Sequence, residues 1–136
     1  MKRFYITSIT VSGDGVKESK IEFNKGVNII HGPSDTGKSY VMNCIDFMFA
    51  SKGAPFSRSD TAGYDTVTMH LENEDGEKVI AKRKIVDGKN GDTGSSKVII
   101  STTLTNFPDK EYKVSDYQEL LLYLFGISER KNIIAN

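Results

Sequence analysis

The stretch that most constrains this chain is Gly32-Pro33-Ser34-Asp35-Thr36-Gly37-Lys38-Ser39, which completes the spacing G-x-x-x-x-G-K-S. A short apolar run, Val27-Asn28-Ile29-Ile30, leads into it, and an amphipathic stretch beginning at Tyr40 leads out. A strand entering and a helix leaving is the context in which this spacing makes a phosphate-binding loop, the Walker A motif. Gly32 and Gly37 allow the backbone to wrap with its N–H groups turned inward, as a concave anion nest. The start of the following helix adds unpaired N–H groups and the positive end of its dipole. The spacing predicts that Lys38 reaches the β- and γ-phosphates and that the Ser39 hydroxyl ligates Mg²⁺. Pro33, Ser34, Asp35 and Thr36 fill the loop, with Thr36 a candidate hydroxyl contact and Tyr40 a candidate stacking contact. These residues predict a bound nucleoside triphosphate.

Composition narrows the class. A chain of 136 residues is one domain's worth. Lys+Arg and Asp+Glu stand at 18 each, so there is no global basic field and any nucleic-acid contact would be local. The single cysteine, Cys44, cannot form a disulfide within the chain, and no Cys/His cluster has metal-site spacing. Neither a signal-peptide core nor a run of roughly 20 apolar residues is present. The expectation is a soluble, cytoplasmic protein with no membrane partner.

Along the chain, Phe4 to Val11 is rich in β-branched and aromatic residues and predicts a strand. Ser12 to Gly15 predicts a turn, and Lys20 to Phe23 alternates as a half-exposed strand. Val27 to Ile30 suits a central strand covered on both faces. From Ser39 to about Ala50, the recurrence of Val41, Met42, Ile45, Met48 and Phe49 predicts a helix whose Asn43 and Asp46 face elsewhere, with Cys44 and Phe47 packed as well. Ser51 to Asp65 reads as a loop. Thr66 to Glu72 and Glu77 to Val86 predict a hairpin turning at Asn73-Glu74-Asp75-Gly76. Asp87 to Ser96 reads as a loop, Lys97 to Thr105 as a strand, and a short strand ends at Val114. Ser115 is placed to cap a helix over about 115–125 in a capping box with Gln118. Tyr117, Leu120, Leu121 and Leu124 give that helix its apolar face, and Gly126 is placed to end it. The β-rich part therefore spans about 66–114 within a single α/β domain covering 1–136.

Two rival readings fail on context. Asp60-Thr61-Ala62-Gly63 spells the switch glycine motif of small GTPases, but Pro55-Phe56-Ser57-Arg58-Ser59 precedes it instead of a buried strand, and no guanine-reading Asn-Lys-x-Asp follows. Asp92-Thr93-Gly94-Ser95 spells an aspartic-protease motif, but Lys89-Asn90-Gly91 is no apolar strand to bring two carboxylates together. The pattern Gly26-Val27-Asn28-Ile29-Ile30-His31-Gly32 before the loop, with Cys44-Ile45-Asp46-Phe47-Met48 after it, resembles the SMC/SbcC/RecN-type ATPases. The filling Pro33-Ser34-Asp35-Thr36 looks like that of bacterial AAA-family ATPases associated with defence or repair. The hairpin and the leucine-rich helix extend the resemblance over nearly all of the chain, although only the loop region is motif-specific.

The resemblance implies a P-loop NTPase fold of ABC/SMC type, with a mixed sheet, an antiparallel hairpin insertion and few helices. It implies ATP and Mg²⁺ as ligands, and the N-terminal lobe of a head split by a long coiled coil. Its partners would be the C-terminal half of the same head, bearing the signature and Walker B motifs, and a second head dimerising over sandwiched ATP. No run here ends in a Mg²⁺-holding aspartate or a base for the attacking water, so no catalytic residue is identified in the chain. The chain stops about where the coiled coil would begin. A nucleotide-binding sensor or assembly module without turnover is the alternative. Arg58 lies in a loop that could approach the ligand or stay solvated. Lys82-Arg83-Lys84 is the local basic run: a solvated strand edge is one reading, a DNA-backbone contact the other, with Lys82 and Lys84 on one face and Arg83 on the opposite one. His31 and His70 read as structural.

Overall fold

A computed structural model describes residues 2–13, 15, 18–23, 43–49, 65–86, 93–104 and 110–126. Within them the chain runs β1 (Tyr5–Ser12), β2 (Ser19–Glu22), helix α1 (residues 43–48), β3 (Thr66–Glu72), β4 (Lys78–Val86), β5 (Thr93–Gly94), β6 (Lys97–Thr102), β7 (Lys110–Lys113) and helix α2 (Val114–Leu124). The sheet order is β2-β1-β3-β4-β6-β7, with the two-residue β5 hung on β4. Every pairing among the described strands is antiparallel. The expected P-loop strand at 27–30, on which a mixed sheet would depend, lies outside the described residues.

Strand registers sort the side chains onto two faces, because each step along a strand reverses direction. One cross-strand row reads Ile21, Ile9, Met69, Ala81, Ile100, and from Ile9 to Ile100 it is buried. The next row reads Lys20, Thr10, Thr68, Lys82, Ile99, Glu111. Its short residues Thr10 and Thr68 are buried, whereas Lys20, Lys82 and Glu111 are exposed. A bulge in β1 at Thr7 keeps Ile6 opposite Leu71 and Ile9 opposite Met69 despite their three-residue spacing. The Thr7 hydroxyl donates to His70 O at 3.1 Å.

The inner face is covered by both helices. Cys44, Phe47 and Met48 of α1 and Tyr117, Leu120, Leu121 and Leu124 of α2 join the sheet residues in one core. Burying side chains of this size contributes about 1.5–3 kcal/mol each. Asn43 and Asp46 are exposed, in line with the helical pattern. Phe49 departs from it: helix geometry stops at Met48, and Phe49 is exposed, its ring stacked 5.7 Å from that of Phe125. Cys44 is buried as a small hydrophobe.

The β3–β4 hairpin forms as its turn chemistry predicts, with Gly76 at φ +79°. Asn73 organises it from a buried position. Its Oδ1 accepts from the amides of Asp75 and Glu77 at 3.1 and 3.0 Å, and its Nδ2 donates to Lys2 O at 3.2 Å.

Beyond one-residue shifts at the ends of β1, β2 and β4, three stretches differ from the sequence reading. The stretch 87–96, expected as loop, contributes Thr93–Gly94 as β5, paired with Val86 and Ile85. Strand β6 ends at Thr102 and not at Thr105, with Thr102 Oγ1 taking up the amide of Leu104 at 3.0 Å. Helix α2 begins at Val114, so Ser115 lies inside it and forms no cap; Lys113 occupies the capping position with no side-chain bond. The displacement follows from β7, which stays paired with β6 through Lys113, opposite Lys97, and delivers the Val114 amide to Ser96 O at 3.0 Å. Among the described residues no helix is long and apolar enough to cross a membrane.

Candidate functional site

Gly32, Pro33, Ser34, Asp35, Thr36, Gly37, Lys38, Ser39 and Tyr40 all lie outside the described residues, as do His31 and Arg58. What is described is the helical segment 43–48 that follows the motif in the chain. Phe47 and Met48 follow Lys38 and Ser39 by nine positions. The last carbonyls of a helix have no partner within it, and burial without one is costly. Here two side chains from distant elements supply the partners.

Arg83 of β4 donates through Nη1 to Phe47 O at 2.7 Å and through Nε to Ser95 O at 3.0 Å. Its guanidinium lies 4.5 Å from the centre of the Phe47 ring, a cation–π arrangement. The side chain is only 3% exposed. Burial lowers its pKa, with Tyr117 acting in the opposite sense, but a guanidinium starts so high that it stays charged. A cation at a helix C-terminus also meets the negative end of the dipole. Tyr117 of α2 donates its hydroxyl to Met48 O, and burial pushes its phenol well above the ordinary range, Arg83 opposing.

Gly94 makes room for this arrangement. A Cβ built on it would fall on the Arg83 guanidinium, 2.8 Å from Nε. The short β5 thus floors the pocket in which the guanidinium sits, and Ser95, the next residue, both accepts from Arg83 and donates its amide to Lys84 O at 2.8 Å. Sequence reading treated 92–95 as turn chemistry and missed this. A signal existed: in Val79-Ile80-Ala81-Lys82-Arg83-Lys84-Ile85, Arg83 shares the parity of Val79, Ala81 and Ile85. A cation on the apolar side of an alternating strand marks a buried, partnered charge.

The predicted split of the basic run holds: Lys82 and Lys84 are exposed on the outer face and Arg83 is inside. The reading of that run as a protective edge does not, because β4 is paired with β3 on one side and β6 on the other. On the outer face Lys20 pairs with Glu22 within β2 at 3.6 Å and Lys97 of β6 with Glu111 of β7 at 3.3 Å, whereas Lys82 and Lys84 form no ion pair among the described residues. His70 is half-buried on the same face, as expected, and its pKa is lowered by burial and then by Lys20, with Glu18 opposing and Lys82 reinforcing. No group of three or more His, Cys, Asp or Glu side chains that could hold a metal occurs among the described residues.

Comparison with known proteins takes up where the described geometry stops. A family model described as an AAA domain matches residues 9–136, across the loop motif, both helices and the whole β-rich part. The chain belongs to the AAA-domain family. Proteins of this family generally bind ATP with Mg²⁺ on a P-loop NTPase fold. A DNA repair protein, RecN, from Aquifex aeolicus (strain VF5) is 28% identical over 74 residues, 54% of this chain and 13% of that protein. The chain therefore matches a small part of that relative's length.

Proposed function

We propose that this chain is the ATP-binding lobe of an SMC/SbcC-like ATPase that acts in DNA repair, chromosome maintenance or phage defence. The observation that supports it most is the uninterrupted G-x-x-x-x-G-K-S run at 32–39 inside a family match over 9–136. The donor set suits the ligand. Backbone N–H groups from Gly32 to Gly37 would cradle phosphate oxygens, with Pro33, Ser34, Asp35 and Thr36 between the two glycines. Lys38 would neutralise the β- and γ-phosphates, and the Ser39 hydroxyl would ligate Mg²⁺. Tyr40 would pack beside the nucleotide. Mg²⁺ held through the Ser39 hydroxyl would supply positive charge against the phosphates.

The aspartate that completes the metal site and the group that orients the attacking water are not found in this chain. In this reading they come from the C-terminal half of the same head, with a signature motif from a second head closing over the nucleotide. An intracellular location follows from that assignment.

Titrating Mg²⁺-ATP by calorimetry, with turnover followed in parallel, tests the proposal against Lys38→Ala. The expected outcome is binding that weakens by at least about tenfold in the variant. The isolated 1–136 chain should turn nucleotide over poorly. Equal binding by the two forms would sink the assignment, and robust turnover by the isolated chain would show that a catalytic carboxylate lies within it.

DNA is the further partner in this reading, met by the outer face at Lys82 and Lys84. Replacing both by alanine should weaken duplex binding and flatten its dependence on salt by up to about two counterions. An unchanged salt slope would remove this face from the DNA path.

A further inference from the structure

We propose that Arg83 and Tyr117 are positioning residues for the phosphate loop, holding helix α1 by its last carbonyls so that Lys38 and Ser39 are presented from a fixed height. The inference rests on the ATP-binding reading above. It starts from an asymmetry in how α1 is held. Cys44, Phe47 and Met48 bury an apolar flank, and apolar contact is non-directional. It keeps the helix against the sheet but resists sliding and rotation weakly. The two hydrogen bonds at the C-terminal end are directional, and they arrive from different elements: Arg83 Nη1 from β4 to Phe47 O, and the Tyr117 hydroxyl from α2 to Met48 O. Adjacent carbonyls held from two directions fix both the rotation of the helix about its axis and its position along it.

A helix carries such a constraint to its other end. The apolar recurrence from Ser39 to about Ala50 predicts that this helix begins at the motif, and at 1.5 Å per residue nine helical positions would span about 14 Å. An error of 1 Å in placing a charged group against a phosphate costs far more than the same error in an apolar contact. The clamp is itself well supported. Arg83 is held over the Phe47 ring, tied to Ser95 O and seated where Gly94 has no side chain. A buried cation is an expensive way to close a helix, and two helix-end carbonyls could have been left to solvent at lower cost. Its presence at the end of the helix that follows the motif, where α2 is closed by backbone amides among the described residues, is what a positioning role accounts for.

The test uses the protein as it is encoded, with Mg²⁺-ATP affinity measured at a temperature where circular dichroism shows every form fully folded. Tyr117→Phe removes one hydroxyl and keeps the ring. It should weaken binding about threefold to tenfold. Gly94→Ala changes neither clamp residue but displaces the guanidinium, and should weaken binding to a similar extent. Arg83→Lys keeps a cation within reach of one carbonyl and should bind better than Arg83→Met. Lower melting temperatures with unchanged affinities across the set would overturn the proposal, because a merely structural clamp predicts that result.

Should the variants fail to fold, amide exchange in the unmodified protein decides. Saturating Mg²⁺-ATP should slow exchange around Ile85 and Ser95 and in the first turns of α2, and unchanged exchange there overturns the inference. Absence of Lys38-dependent binding in the unmodified protein is a different failure, that of the ATP-binding assignment itself.

Discussion

Helices α1 and α2 face the same problem at their C-terminal ends and solve it differently. At the end of α2, Gly126 adopts φ +79°, the Phe125 amide returns to Leu121 O at 2.9 Å, and the Gly126 amide returns to Tyr123 O at 3.0 Å. The last helical carbonyl, Leu124 O, accepts from the Phe4 amide at 2.9 Å, so the donors that close this end among the described residues are backbone amides. At the end of α1, Phe47 O and Met48 O are taken by side chains 36 and 69 positions along the chain. Backbone closure of this kind makes a helix stop. A borrowed ending ties its position to the rest of the fold, so that α1 can move only if β4 and α2 move with it.

The largest effect should come from cutting the borrowed ending. Arg83→Met leaves Phe47 O and Ser95 O without their charged donor while restoring an apolar side chain to an apolar row. Losing charge-assisted bonds to buried carbonyls costs about 1.5–3 kcal/mol each, and relief from burying a guanidinium returns part of that. We expect a net loss of about 2–3 kcal/mol in urea denaturation. A variant as stable as the parent would mean that the cation contributes nothing to the fold, and the two endings would then differ in geometry but not in energy.

Breaking the Gly126 turn at the end of α2 should cost less. Gly126→Ala places a side chain at φ +79°, where an L-residue pays about 1–2 kcal/mol. The new Cβ also meets Arg3 Nε at 2.8 Å, but Arg3 is exposed and flexible, so it can swing away. A loss of about 1 kcal/mol without any change in nucleotide affinity is expected from the same denaturation and calorimetry. A fall in affinity matching that of Tyr117→Phe would erase the distinction between the two helix ends.

This contrast also explains what could be read from the sequence. The hairpin turn at Asn73–Gly76, the stop at Gly126 and the buried faces of Tyr117, Leu120, Leu121 and Leu124 depend on spacing within one element, and spacing is what a sequence displays. So does the inward parity of Arg83. Its partners are another matter, because nothing at Phe47 or Met48 announces a donor from β4 or α2. The 32–39 motif was legible as an expectation of phosphate-binding chemistry, through residue types in a fixed order, and the family match over 9–136 spans it. Placement in space is a tertiary property that no pattern of residue types encodes. Phe49 shows the same limit from the other side. Helical periodicity alone put it in the core, but helix geometry ends at Met48 and leaves it exposed against Phe125.

The smallest effect should come from Ser115, where a local rule was available and the fold overrode it. Ser115 and Gln118 match the spacing of a capping box, which would normally be worth about 1 kcal/mol. The strand before them sets the helix start instead. β7 stays paired through Lys113, whose φ of −65° and ψ of 150° are extended, and Val114 is the first helical residue. That register puts Ser115 inside the first turn, beyond the position from which its hydroxyl could reach back-facing amides, and leaves it exposed. Alanine is the better helix former there. Ser115→Ala should therefore change stability by less than about 0.5 kcal/mol, or raise it slightly, in the same urea series. A loss of about 1 kcal/mol or more would show that the hydroxyl does cap the helix in solution, and that strand pairing of β7 releases Lys113 before the helix begins.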